Sequence, residues 1–234
     1  MLLSRYLLIN IMKIDATVKE VLQETPRVKL IRLEFPQKLA FKPGQWVGVW
    51  CDDFIGENNK PLRRAFSIAS LPDEPYIELC VARGHALSAH LQDLKPGSKV
   101  HLDGPYGMFW LRPAQKYLFI AGGTGIAPFR SMIHQALSEG KEVVLIYSMK
   151  TPSDFIYRKE LESLKGLKLV PTITVEGYPQ WEGERGRAQT FLHKYFKKGY
   201  DVYVCGPPPM VEAVNQKLEE LGQPHELIHE DKWE

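Results

Sequence analysis

A chain of 234 residues, 44% hydrophobic and 25% charged, is long enough for one large core or for two domains of roughly 100–150 residues. That balance excludes disordered, collagenous and coiled-coil chains, and a formal charge of +2 gives no broad electrostatic footprint for nucleic acid. Three cysteines build neither a disulfide framework nor, alone, a four-thiolate iron–sulfur or zinc site, so a reduced, cytoplasmic setting fits best.

Residues 1–11 are mostly apolar with one early Arg5. They are too short to span a bilayer and no small-residue cleavage site follows, so they read as a leader or tail, or as the product of an upstream start codon. From Met12 to about Leu111 the runs are short and have period two. Ile31, Leu33 and Phe35 alternate with Arg32 and Glu34; Ile77, Leu79 and Val81 alternate with Glu78, Cys80 and Ala82. Turn signals at Lys42-Pro43-Gly44, Leu71-Pro72-Asp73 and Lys95-Pro96-Gly97 separate them. This spacing predicts a closed antiparallel β-barrel over residues 12–111, with one short helix around Leu87–Leu94.

The pattern changes at Arg112-Pro113. Tyr117–Ala121, Val143–Tyr147 and Asp201–Cys205 are near-continuous apolar runs, the mark of strands buried on both faces. Between them, Phe129, Met132, Ile133, Ala136 and Leu137 form one helical stripe, and Val211, Val214, Leu218 and Leu221 another. Residues 112–234 therefore predict an α/β domain, an open parallel sheet with helices on both faces. A cofactor pair would sit in the cleft between the two domains.

Four segments carry chemistry. Gly122-Gly123-Thr124-Gly125-Ile126-Ala127-Pro128 follows a buried strand and opens a helix, where bare backbone N–H groups meet a pyrophosphate; a tight strand-to-helix turn is the other reading. Arg64-Ala65-Phe66-Ser67-Ile68-Ala69-Ser70 offers a guanidinium fork for phosphate, an aromatic for a flat ring and a hydroxyl for a ring nitrogen. Val81-Ala82-Arg83-Gly84-His85-Ala86-Leu87-Ser88 runs from strand into helix, as a second anion site or a simple N-cap. Cys205-Gly206-Pro207-Pro208-Pro209-Met210 ends the last long parallel strand, where open α/β sheets bind ligands.

Taken together, the chain from Met12 onward resembles the ferredoxin–NADP reductase-like flavoproteins. The resemblance rests on five motifs in order: Phe41-x-Pro43-Gly44-Gln45, Arg64-x-Phe66-Ser67-x-x-Ser70, Gly104-Pro105-Tyr106-Gly107, Gly122 to Pro128, and Cys205 to Met210. It implies a bound flavin, FAD with FMN as the alternative, and NADH or NADPH as hydride donor. By position, it implies that Arg64 holds the flavin pyrophosphate, that Phe66 flanks the flavin ring and that Ser67 bonds near the ring atom receiving the hydride, with Ala65 and Val81 adjacent. Arg83, His85, Ala86, Leu87 and Ser88 would line the phosphate end. Gly123, Thr124 and Gly125 would cradle the nicotinamide dinucleotide, with Cys205 and Gly206 near its reacting ring. Ser67 and Cys205 are the expected catalytic pair, shaping a hydride contact of about 3–3.5 Å rather than moving protons. Arg187 matches a loop near the dinucleotide, and Trp233, behind Glu230 and Asp231, is either a cover for the flavin or a surface tail.

The resemblance implies that the segment after the second parallel strand faces the adenosine ribose; there Asp154 suits free ribose hydroxyls, while Lys150 and Arg187 pull towards a 2′-phosphate, and the reading leans to NADH. Electrons would pass to a one-electron acceptor such as a ferredoxin, flavodoxin or partner subunit. The rivals are an electron-transfer subunit of a larger complex and a reductase of free flavin. One competing motif, His225-Glu226-Leu227-Ile228-His229, matches H-E-x-x-H, but Gly222 and Pro224 precede it and a last strand is expected there. On a strand, residues four apart are roughly 13 Å apart, too far for one zinc, so no metal site is expected.

Overall fold

The computed structural model describes residues 12–84 and 86–232; the leader, His85 and Trp233 lie outside the described residues. The first half forms β1 (Met12–Thr25), β2 (Val28–Glu34), β3 (Trp46–Trp50), β4 (Arg64–Ser67), β5 (Ile77–Ala82), α1 (Leu87–Asp93) and β6 (Lys99–Tyr106). The six strands make one antiparallel sheet in the order β4-β3-β6-β1-β2-β5. Register shifts in β1 at Val18/Glu20 and Gln23/Thr25 mark bulges, which sharpen the curl. The curl brings the edge strands together, but they close only through an Ile68–Leu79 bridge and the Ala69 N–H donating to the Glu78 carbonyl at 2.9 Å. The expected barrel is thus a curled sheet with a single-bridge seam. Inside it, Ile31, Leu33, Val47, Ile68, Leu79 and Val81 pack as a core.

The second half comprises β7 (Lys116–Gly122), α2 (Ile126–Ser138), β8 (Glu142–Met149), α3 (Arg158–Ser163), β9 (Leu167–Ile173), β10 (Glu184–Arg185), α4 (Leu192–Tyr195), β11 (Asp201–Gly206), α5 (Pro208–Glu220) and β12 (Ile228–Lys232). Its sheet is parallel, in the order β10-β9-β8-β7-β11-β12. Tyr117, Phe119 and Ala121 meet Phe129, Met132 and Ile133 of α2 on one face. Leu118 and Ile120 meet Val211, Val214 and Leu218 of α5 on the other. Each fully buried side chain of this size contributes roughly 1.5–3 kcal/mol.

Strand order reverses between β7 and β11, so the crevice at their carboxyl ends is the ligand position of such sheets. The α2-side core also takes in Val28, Leu30, Ala69 and Cys80 from the curled sheet, which fuses the two halves beside that crevice. This contact buries Glu78 to 1% and Cys80 to 7%, the residues that alternate in β5 with Ile77, Leu79 and Val81 of the curled-sheet core. No described helix is long and apolar enough to cross a membrane.

Candidate functional site

The glycine loop forms where β7 gives way to α2. Gly123–Gly125 make a 3-10 turn, and Gly123 sits at φ +53° with open space where a Cβ would project. A Cβ on Gly125 would lie 2.1 Å from the Cys205 carbonyl oxygen, so only glycine lets the loop lie against the end of β11. The loop is held from below by the buried Tyr147, whose hydroxyl donates to the Gly123 carbonyl at 3.0 Å. Pro128 occupies the first turn of α2, where helix N–H groups have no internal partner.

Across the crevice, β4 supplies Arg64, Ala65, Phe66 and Ser67 to a cavity of about 350 Å³ that also meets Ser88 and Thr124. Ser67 is 3% exposed, and its hydroxyl has no hydrogen-bond partner among the described residues; nor has that of Ser70. Buried hydroxyls are normally satisfied, so an orphan on a cavity wall points to a ligand atom. Phe66 is half-buried, packing on the sheet core while facing the cavity. The exposed Arg64 donates once to the Arg63 carbonyl, at 3.1 Å. The Phe41-x-Pro43-Gly44-Gln45 and Gly104-to-Gly107 motifs meet through Gln45, whose amide accepts from the Lys42 N–H at 2.8 Å and donates to the Gly107 carbonyl at 3.3 Å.

The helix-entry segment divides. Gly84, Leu87 and Ser88 line the first cavity, while Ala86, at φ +56°, heads α1 without a side-chain capping bond. The simple N-cap, the other reading of this segment, does not form; Ser88 lies inside the first turn. Val81 is turned the other way, fully buried in the curled-sheet core, and its neighbours Cys80 and Ala82 face the cavity in its place. The two-residue period already placed Val81 with Ile77 and Leu79, and that was the signal for the missed pair.

A second cavity, about 770 Å³, adjoins the first and shares Ala82 and Thr124 with it. Gly123, Gly206 and Met210 floor it, and Arg27, Arg83, Lys150 and Arg187 bring positive charge. Arg83 is paired with Asp93 at 3.0 Å. Asp154 lies on this wall, but its carboxylate is engaged: it accepts from the Thr151 N–H at 3.0 Å and the Thr151 hydroxyl at 2.8 Å, and faces Arg27 at 3.5 Å. Cys205 is fully buried in the α2-side core; its following residue, Gly206, reaches the cavity. Beside it in β12, Asp231 pairs in register with Cys205, and burial pushes its carboxyl up to about 6.

The H-E-x-x-H segment splits into a 3-10 turn, His225–Leu227, and β12. His229 instead bonds Asp201 at 2.8 Å and packs on Tyr203. One trio, Cys51, Asp53 and His90, gathers metal-binding atoms within 4.8 Å of one another. Burial, then the charges of Asp53 and Asp52, push the Cys51 thiol up to about 12.

The two joined cavities fit a flavin and a nicotinamide dinucleotide: an orphan buried hydroxyl for a ring edge, a guanidinium at the strand start, and a bare-backbone cradle beyond. The family profile of the oxidoreductase FAD-binding domain matches residues 15–110, and that of the oxidoreductase NAD-binding domain matches residues 119–216. A ferredoxin–NADP reductase B of Sorangium cellulosum is 34% identical over 213 residues, covering 83% of this chain and 86% of its own. The phenol hydroxylase P5 protein of Acinetobacter pittii is 28% identical over 235 residues, covering 94% of this chain and 65% of that protein. Among solved structures, the ferredoxin reductase in carbazole 1,9a-dioxygenase superposes with a TM-score of 0.85 at 28% identity, covering 96% of this chain and 70% of that one. The chain belongs to the ferredoxin–NADP reductase-like family of oxidoreductases, with an FAD-binding domain followed by an NAD-binding domain.

Proposed function

We propose that this NAD(P)H-dependent flavoprotein oxidoreductase delivers electrons from FAD directly to a separate one-electron carrier protein, such as a ferredoxin or flavodoxin. The flavin-binding unit would be residues 12–111 and the nucleotide-binding unit residues 112–234. The observation that carries the reading is the continuity of the two cavities at Ala82 and Thr124. It places the Ser67 wall and the glycine cradle in one crevice at the strand-order reversal.

When bound, the flavin supplies a ring that accepts two electrons as a hydride and releases them singly. Arg64 and Ser88 would hold its pyrophosphate, Phe66 would bear on its ring, and the Ser67 hydroxyl would bond the ring edge that receives the hydride. Gly123, Thr124 and Gly125 would hold the dinucleotide phosphates by backbone N–H groups, and Gly206, set by Cys205 behind it, would lie under the nicotinamide. Both Ser67 and Cys205 orient; neither moves a proton. The three cysteines are all buried and scattered, so no cysteine set within these residues relays the electrons onward. They also fit a reducing, cytoplasmic compartment.

The charge at the second cavity favours NADPH over the NADH expected from Asp154. That carboxylate is engaged by Thr151 and faces Arg27, whereas Lys150 and Arg187 remain to meet a 2′-phosphate. Several relatives are named as electron-transfer components of oxygenases, so a dedicated partner subunit is the alternative acceptor. The test is the visible spectrum of the purified protein, bleached anaerobically with NADPH or NADH, then reoxidised by ferredoxin, flavodoxin or free flavin. A protein that stays colourless after reconstitution overturns the reading. One that reduces only free flavin overturns the carrier-protein acceptor.

A further inference from the structure

We infer that Arg130 is a positioning residue, a clasp that fixes the glycine cradle relative to Ser67 and so sets the hydride-transfer geometry; the kinetic part rests on the function proposed above. Arg130 lies in the second turn of α2, the helix that the glycine loop opens. It lies at the edge of the apolar stripe, next to Phe129 in the chain, and it is buried.

Its guanidinium is gripped from both halves of the molecule. From the flavin side, the Ala69 carbonyl accepts from Nη1 at 3.1 Å, and Glu74 accepts from Nη1 and Nη2 at 2.8 and 2.9 Å. From its own side, Glu160 of α3 accepts from Nε at 2.9 and 3.0 Å. Ala69 is two residues beyond Ser67 in the chain. Glu74 is anchored in its own turn by the Leu71 N–H at 2.7 Å and the Tyr76 hydroxyl at 3.0 Å. Glu160 is held by His134 at 2.8 Å.

A buried ion pair is weak evidence of stability, because apolar groups of the same shape often serve as well. What it supplies is direction. An apolar contact between halves tolerates sliding, whereas a planar fork with several donors engaged holds one orientation. Hydride transfer is the step that needs such a constraint, since a 1 Å misplacement costs about 100-fold in rate. The helix carries the constraint rigidly from Arg130 back to Gly123–Gly125.

The two carboxylate partners allow a separation of roles. Glu74→Gln weakens the grip between halves; Glu160→Gln weakens only the grip within one half. In the flavin-loaded protein, Arg130→Gln and Glu74→Gln are expected to retain the yellow spectrum but to slow flavin bleaching at saturating nicotinamide by up to about 100-fold. Glu160→Gln is expected to lower Tm comparably while leaving that rate within about threefold. Amide hydrogen exchange over residues 69–76 should quicken in Arg130→Gln and Glu74→Gln, with or without flavin, and not in Glu160→Gln. Rates that fall in step with Tm across all three variants, or a native rate in Glu74→Gln, overturn the proposal. Should Arg130→Gln fail to fold, the Glu74 and Glu160 pair decides. Loss of flavin binding by the native protein refutes the proposed function instead, and the exchange measurement on flavin-free protein still decides the clasp: unchanged exchange in Glu74→Gln overturns it.

Discussion

The Tyr147 hydroxyl donates to the Gly123 carbonyl at 3.0 Å, tying the end of β8 to the one residue of the glycine loop whose φ is positive. Tyr147 is fully buried, and burial first, then the nearby Cys80 thiol, holds its phenol well above the ordinary range, so the hydroxyl keeps the proton that it donates to Gly123. Tyr147→Phe keeps the ring packing and removes the bond. We expect a loss of about 1 kcal/mol in stability and a rise of about fivefold in KM for the nicotinamide, with kcat little changed. Thermal melts and steady-state kinetics would show this; an unchanged KM would mean the loop holds its shape unaided.

Ser67→Ala separates folding from function. Because the buried hydroxyl has no partner among the described residues, its removal should leave the flavin-free protein as stable or more so. The same change should slow reduction by nicotinamide by roughly 100- to 1000-fold, the scale of losing one placed hydrogen bond at a reacting centre. Stopped-flow absorbance gives the rate and calorimetry of flavin-free protein gives the stability. A destabilised flavin-free variant would show that the hydroxyl has a structural partner.

Asp231 should leave a signature in the pH dependence of stability. Burial raises its carboxyl from 3.8 to about 6, so the folded state binds more protons than the unfolded state between those values. Its contribution is fully present below pH 3.8 and is lost as the pH rises through about 6. Asp231→Asn should therefore be more stable than the native protein at pH 7–8 and should lose that advantage towards pH 4. Chemical denaturation across this range checks it. Parallel curves for the two proteins would refute it.

Nucleotide choice should follow charge. Arg187→Gln should lower kcat/KM for NADPH by about 10- to 100-fold, as expected for a charge-assisted hydrogen bond, and leave NADH nearly unaffected. Arg27→Gln frees Asp154 of its ion pair and should shift preference the same way. Equal losses with both nucleotides would mean that Arg187 binds the shared pyrophosphate instead.

Much of this protein is legible in its amino-acid order, wherever the signal is local. Alternation in Ile77 to Ala82, the unbroken apolar runs at Tyr117 and Val143, and the glycines after β7 each report the geometry of their own few residues. Those geometries suffice for two sheet types in order, for the glycine turn that opens α2 and for the Ser67 strand. That His225 to His229 do not share one helix was legible in the same way, from the turn residues before His225.

What needed the tertiary structure was whatever depends on two distant segments meeting. The outer face of β5 looks half-polar, yet Glu78 and Cys80 are buried because the second half covers them. Asp154 reads as a free carboxylate, but its own turn and Arg27, 127 positions away, engage it. Nothing near Arg130 in the sequence indicates its partners, and only the folded chain brings Ala69, Glu74 and Glu160 around it. Side-chain period follows from backbone geometry and is written along the chain. The partners of a buried charge follow from packing, which no window of neighbouring residues contains.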